Sequence, residues 1–498
     1  MRRLPDRVSA AVLCYLAAPV LVFVLGWLKP LPGIALAGLL AWAVYRLCAD
    51  MAPSESGRRN LAVLAWLLGL ALAWSALGGA GHLVYANLDW RTRDAVYADL
   101  ILSAWPPSYG VEAGVDLVLR SATGFFLAPA AVAKLAGIGL APALLLAWCA
   151  LGVFLFFLML PLPAAFNRRL LLLSLAVVFF SGMDYAAIVL VHGQTPVFPL
   201  PLEWWRPWTY TSLTGQLFWA PNHAIPLWLG TVLIFRHRES PGLPGLGLLL
   251  LALLLFWTPF AIGLVPWLAW ALWQRGGAPA SALGIPTLHW VAAVSLGALG
   301  IAYLSLPGIG TIPLHLGSGT GASSSGTGGW SLPDTTLAYI QFAAFEFALL
   351  AILLRPTPGA MRQALGLAVG LLLLLPLIRI GPSNDWMLRI STPCLIMLLL
   401  LTLAEFDGPG NDRHRTLRHA CLLIALGIGA ITPLFEIARV LIWQRTPPNY
   451  GATLVEQQGG YRPPHYLGRL EMPALQALFR TPSPVPAGPA RRAAMAAP

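Results

Sequence analysis

The chain has 498 residues, 58% of them hydrophobic and only 10% charged, with 31 basic and 20 acidic side chains. A soluble domain carries roughly a quarter charged residues, so a soluble globular enzyme and a disordered chain are excluded, and five cysteines without ligand spacing exclude a disulfide scaffold. What remains is a polytopic membrane protein whose net charge of +11 sits in loop arginines rather than on a nucleic-acid surface.

In chain order, apolar runs approaching the roughly 20 residues of a spanning helix fall at about 11–28, 33–48, 60–80, 139–163, 169–189, 224–236, 243–257, 260–274, 283–305, 337–354, 362–380, 388–405 and 416–436. The expected fold is all-α, a transmembrane helical bundle of about 13 spans covering 1–436, with interfacial helices in its first outer loop. The stretch 243–274 reads as two half-length helices or one long tilted helix, because Pro259 and Pro266 interrupt it. The stretch 121–137 carries Lys134 and follows Asp116 and Arg120, so it reads as an interfacial or re-entrant segment. Gly317 to Gly329 is a linker inside a loop at 306–336, and 437–498 is a Pro- and Arg-rich tail without a core of its own.

Charge placement sets the expected orientation. With the N-terminus inside, 16 basic residues fall on the cytoplasmic side and 8 on the outer side before the tail. That bias follows the positive-inside rule, and it puts the loops at about 81–138 and 190–223, and the tail, outside the cytoplasmic membrane. Most acids lie on the same outer side, and of the 20 only Glu346 falls near the middle of a span. A transporter driven by protons or sodium needs ionisable groups at that depth, so transport is the weaker expectation. No Walker A, GxGxxG, HExxH or GxSxG pattern is present. His82, His289 and His315 are isolated and read as structural.

Four outer segments carry the polar chemistry. In Asn87-Leu88-Asp89-Trp90-Arg91-Thr92-Arg93-Asp94, Asp89 and Arg93 are four apart and share a helix face. Phe180-Ser181-Gly182-Met183-Asp184 places a carboxylate in an apolar run, which suits a polar cavity. The loop from His192 to His223 interleaves Glu203, Trp204, Trp205, Gln216, Trp219, Asn222 and His223, the mixture of rings, amides and carboxylates that holds sugars; the plainer reading is an interfacial aromatic belt. Finally, Arg379 and Arg389 flank Asn384-Asp385, and two guanidinium groups against the positive-inside trend suit a phosphate or pyrophosphate.

The inside N-terminus, the many helices and the acidic motif of the first outer loop together resemble the GT-C superfamily of membrane glycosyltransferases. The resemblance covers the general plan and the Asp89 region; where the commonest GT-C loop has two adjacent acids, Asp89 is followed by Trp90. The segments Asp89-Trp90, Phe180 to Asp184, Glu203-Trp204-Trp205, Gln216-Leu217-Phe218-Trp219 and Asn384-Asp385 are also similar to a broad group of bacterial membrane proteins without a known activity.

The resemblance implies transfer of a sugar from a polyprenyl-phosphate donor to a hydroxyl on a glycan, lipid or protein, with inversion, at the outer face of a bacterial inner membrane. It implies Asp89 as the base with Asp94 second, and Arg379, Arg389 and Arg93 on the donor phosphate. Asp184, Glu203, Trp204, Gln216, Asn222, His223 and Asp385 would contact sugar or acceptor. An alternative role for the loop aspartate is to hold a divalent cation, Mg or Mn, on the donor phosphate. Two rival functions stand beside this one: a polysaccharide polymerase or O-antigen ligase acting on lipid-diphosphate glycans, and a transporter or lipid flippase. None of these partners is a nucleic acid.

Overall fold

The computed structural model describes residues 6–51, 59–202, 208–275, 287–308, 314–316, 332–354, 359–380, 384–407 and 413–496. The chain opens with two packed helices, α1 (Arg7–Trp27) and α2 (Pro30–Asp50). Asp6 caps the first, its carboxylate accepting from the backbone N–H of Val8 at 3.2 Å and of Ser9 at 3.3 Å, and Pro30 opens the second. α3 (Leu61–Leu77) starts where the Asn60 side chain accepts from Val63 N–H at 2.9 Å. The first long loop then forms α4 (Asp89–Leu102) and a hairpin of β1 (Pro107–Glu112) and β2 (Val115–Leu119).

α5 (Gly124–Ala136) has 13 residues, about 20 Å of helix against a hydrocarbon layer of about 30 Å. Just before it, the Ser121 carbonyl accepts from Tyr303 Oη at 3.2 Å; at its far end Lys134 Nζ donates to the carbonyls of Ile101, at 3.0 Å, and Ser103. Its start is therefore held from the helix that carries Tyr303 and its far end from α4, in the first long loop. Gly137, at φ 90°, closes the helix in the left-handed region that glycine favours. α6 (Ala141–Met159) follows.

The predicted span 169–189 is broken into α7 (Arg168–Val178) and α8 (Asp184–Leu190), with Ser181-Gly182 in the gap. After α9 (Leu213–Trp219) and α10 (Pro221–Arg236), the stretch 243–274 divides as well: α11 (Leu243–Leu254), a 3-10 turn at Pro259–Leu264, and α12 (Val265–Gln274). Each proline opens the piece that follows it, where a missing N–H costs least. The rest of the bundle is α13 (Thr287–Leu304), β3 (Leu314–Leu316), α14 (Leu332–Ala343), a π turn at Ala344–Ala348, α15 (Leu349–Leu353), α16 (Ala360–Leu374), β4 (Ile378–Ile380), α17 (Asp385–Ile390), α18 (Thr392–Asp407), α19 (Arg413–Gly429) and α20 (Ile431–Ile442). α10 is buried along nearly its whole length and packs against α18, so these two form the centre.

The protein is thus mostly helical. Among the described residues, 8 helices are long and apolar enough to cross a membrane, against the roughly thirteen apolar stretches of the sequence. The difference is one of length and continuity: Leu61–Leu77, Gly124–Ala136 and Leu243–Leu254 are apolar but shorter, and 169–189 is interrupted.

The tail does not lie loose, and the architecture is not purely helical. It forms α21 (Leu454–Gln457), β5 (Leu467–Arg469), α22 (Pro473–Leu478), β6 (Ser483–Pro484) and α23 (Gly488–Ala496). β5 pairs antiparallel with β2 and β6 pairs parallel with β1, so tail and first loop share a four-stranded sheet in the order β5-β2-β1-β6. The core of this head is partly ionic. Arg491 and Asp99 are both 0% exposed and meet at 2.6 Å; the other Asp99 oxygen accepts from Tyr109 Oη at 2.7 Å and from Leu454 N–H at 3.0 Å. An expectation built on apolar periodicity could not register a core of this kind.

Candidate functional site

α4 begins on a preformed turn. Asn87 Oδ1 accepts from Asp89 N–H at 3.1 Å while its amide donates to the Phe218 carbonyl at 2.8 Å, and Trp90 Nε1 donates to Gly78 at 2.9 Å. These bonds fix the first turn of α4 against α9 and the end of α3, with Asp89 at the helix N-terminus, where a carboxylate is favoured. Asp89 is half exposed and its Oδ2 lies 3.2 Å from Arg93 Nη2. Arg93 is buried, packs over Trp90 and donates to the Trp219 carbonyl.

A second strand of chain arrives from α17. Asn384 precedes it in the left-handed region at φ 50°, a conformation that Asn tolerates better than most residues. Asp385 and Arg389 then stand four apart, with Oδ1 and Nη2 at 3.6 Å. Arg389 lies within electrostatic reach of Asp385, Arg93, Asp89 and Tyr466, and Tyr466 faces the same set of charges: Arg93, Asp89, Asp385 and Arg389. His223, at the start of α10, faces Arg389 and Arg93; its Nδ1 lies 2.9 Å from Thr258 Oγ1 and its Nε2 3.2 Å from the Asn222 amide.

The fold therefore gathers Asp89, Arg93, Asn222, His223, Asp385 and Arg389 from three separate sequence segments. Sequence reasoning missed the tail's contribution: Tyr466 belongs to the cluster, and His465 faces Asp385. The only local signal was a ring pair after Pro463-Pro464, which carries no periodicity. Burial raises the Tyr466 phenol above its ordinary value, with Arg93 pulling the other way, so it stays a neutral donor.

Several buried polar atoms here have no hydrogen-bond partner among the described residues: Arg93 Nη1, Arg389 Nε, Trp386 Nε1, Asn222 Oδ1 and Asn384 Oδ1. An unmet buried guanidinium N–H costs about 1–3 kcal/mol or more. Arg93 and Arg389 lie within electrostatic reach of each other, and two such open guanidinium groups suit an anion.

The remaining expected residues are elsewhere. Asp94 is 1% exposed, held by the His82 ring at 2.9 Å and by Asn449 N–H at 2.9 Å, with the other His82 nitrogen 3.0 Å from the Thr446 carbonyl. Its duty is to tie the tail to α4. Gln216 is 2% exposed and its amide is used at both ends, donating to Thr211 O and accepting from Trp228 Nε1, each at 2.9 Å. Asp184 is 0% exposed inside the bundle, where it accepts from Thr432 Oγ1 at 3.0 Å, and Glu346 of the π turn packs against the same Ser181-Gly182 break. Gly182 makes that approach feasible, since a Cβ there would fall 2.5 Å from Glu346 Oε2. Arg379 is described through its backbone in β4, paired in register with His315. Glu203 and Trp204 lie outside the described residues.

No group of three His, Cys, Asp or Glu side chains converges among the described residues, and Asp89 and Asp385 each face an arginine. No family model matches the chain, and neither a curated protein nor a solved structure does.

Proposed function

We propose that the protein is a membrane glycosyltransferase of GT-C-like design. In this reading it moves a sugar from a polyprenyl-phosphate donor to an acceptor hydroxyl at the outer face of a bacterial cytoplasmic membrane, with inversion, in cell-envelope glycan, glycolipid or glycoprotein synthesis. The observation that supports it most is the pair of buried guanidinium nitrogens, Arg93 Nη1 and Arg389 Nε, left open beside the half-exposed carboxylate of Asp89.

The chemistry follows from those groups. Asp89 takes the proton of the acceptor hydroxyl as its oxygen attacks the anomeric carbon. The bond from that carbon to the phosphate oxygen breaks on the opposite face, and its electron pair leaves with the phosphate, whose charge Arg93 and Arg389 stabilise. The neutral Tyr466 phenol adds a donor, and Asn222 Oδ1, held in place by the amide's bond to His223, offers a hydrogen bond to a sugar hydroxyl. The test is transfer of radiolabelled sugar from polyprenyl-phosphate donors in membranes carrying wild type or Asp89→Asn. Loss of transfer by an inserted, stable variant is the expected result; unchanged transfer would sink the assignment.

One observation favours a second reading, a proton-linked transporter. Asp184 and Glu346 are both buried inside the bundle around the Ser181-Gly182 break, and ionisable groups at that depth mark proton pathways. Proton flux in liposomes that survives Asp89→Asn but stops in Glu346→Gln would select this reading instead.

A further inference from the structure

A groove of about 490 Å³ lies between α2, α13 and α22, away from every element that builds the charged cluster. Its walls run from Pro32 to Leu39 on α2 and from Ser295 to Ala302 on α13, and Ala474, Leu475 and Leu478 of α22 complete the lining. Each wall covers eight residues, about 10 Å of helix from first to last, or some two thirds of a leaflet about 15 Å deep. The hollow exists because alanines stand at wall positions where leucine would fill it, Ala298 and Ala302 among them.

The mouth is cationic. Leu28 lines it, and the next residue, Lys29, sends its ammonium to the Ala477 carbonyl at 2.7 Å. Arg480 reaches across from the tail to the carbonyls of Leu28 and Leu25, both at 2.8 Å. Both side chains are exposed, and neither forms an ion pair among the described residues. α2 also starts here, so the positive end of its dipole adds to the same field.

We propose that this groove binds one acyl chain of an anionic phospholipid from the surrounding membrane, with the headgroup phosphate held by Lys29 and Arg480. The apolar slot takes the chain, and the charge at its mouth selects the headgroup. The occupant is a bilayer lipid rather than a prenyl donor, because a phosphate seated on Lys29 and Arg480 is served by none of the residues around Asp89. Its presence clamps α22 between chain and headgroup, and so steadies the tail that carries Tyr466.

The experiment uses the full chain, purified in detergent and supplied with dioleoyl-phosphatidylglycerol or dioleoyl-phosphatidylcholine. Native mass spectrometry reads retained lipid, and thermal unfolding reads its effect. Wild type is expected to retain phosphatidylglycerol roughly tenfold better than phosphatidylcholine, as one charge-assisted contact would give. Ala302→Phe, which fills the slot, should lose both lipids. Lys29→Glu with Arg480→Glu should keep the chain but lose the headgroup preference. Ala298→Leu, a smaller filling that need not disturb the helix pair, guards against misfolding: with a lipid-free melting temperature equal to wild type, it should still lose lipid. Equal retention of the two lipids, undiminished retention by Ala298→Leu, or displacement of phosphatidylglycerol by a polyprenyl phosphate would each overturn the proposal.

Discussion

The two ends of α4 make opposite use of the same side chain. At its start, Asp89 is half exposed and meets one arginine, whose second terminal nitrogen stays open. Farther along, Asp94 and Asp99 are 1% and 0% exposed and are bonded on both oxygens. Carboxylates bonded on both oxygens under full burial fix an architecture, even though Arg491 Nη2 beside Asp99 is left open. Incomplete pairing beside solvent leaves bonding capacity for something that comes and goes.

The strongest way to break this comparison is at the buried end. Arg491→Ala strands the Asp99 charge with no route to water, which typically costs about 3–5 kcal/mol. The head should open: tail proteolysis and thermal unfolding both detect it, while Arg491→Ala with Asp99→Asn should recover part of the loss. Asp89→Asn should behave inversely, leaving the melting temperature unchanged and lowering sugar transfer by roughly 10²–10⁴, the usual worth of a general base. Asp94→Asn is the discriminating case. It should lower stability, and correctly folded molecules should transfer sugar normally, because the carboxylate holds His82 and Asn449 rather than substrate.

Next in size are the arginines. Arg389→Ala should weaken polyprenyl-phosphate binding roughly ten- to a hundredfold, the worth of a hydrogen bond to a charged group at about 1.5–3 kcal/mol. Arg389→Lys should restore part of it, since a point charge keeps the attraction without the fork. Arg93→Ala should weaken binding similarly and also cost stability, because the Trp219 carbonyl loses its donor.

The sequence made the exposed end of α4 legible and the buried end opaque. Asp89 and Arg93, and Asp385 and Arg389, announce themselves by a spacing of four on short helices. The arrival of Tyr466 beside them depends on strand pairing between β2 and β5, whose short strands leave no period to read. Residue type also misleads where burial decides. Gln216 sits among aromatic residues as a sugar-binding amide would, yet its bonds to Thr211 and Trp228 use it up inside the core. Asp184 and Glu346 show a further limit. Their 162-residue separation is closed by a break in the helix at Ser181-Gly182 and by a π turn whose Phe345 carbonyl accepts from Met183 N–H at 2.9 Å.

The smallest test sharpens the comparison at the tail, where α21 depends on an exposed carboxylate instead of a buried one. Thr453 and Glu456 form a capping box: Thr453 Oγ1 accepts from Glu456 N–H at 3.1 Å, and Glu456 Oε2 accepts from Thr453 N–H at 2.8 Å. The Thr453 N–H holds the Glu456 carboxyl below its ordinary value of 4.5. A lowered carboxyl means that the folded state binds fewer protons than the unfolded one in this range. The stabilisation is therefore fully present above the unfolded value and is lost as pH falls through the folded one. Solvent screening keeps it under about 1 kcal/mol. Hydrogen exchange at Leu454 to Gln457 should quicken at pH 3 relative to pH 6 once intrinsic rates are corrected, and Glu456→Gln should flatten that dependence. The Asp99–Arg491 region should keep its protection over the same interval, and equal loss in both would mean that α21 and the ionic core open as one unit.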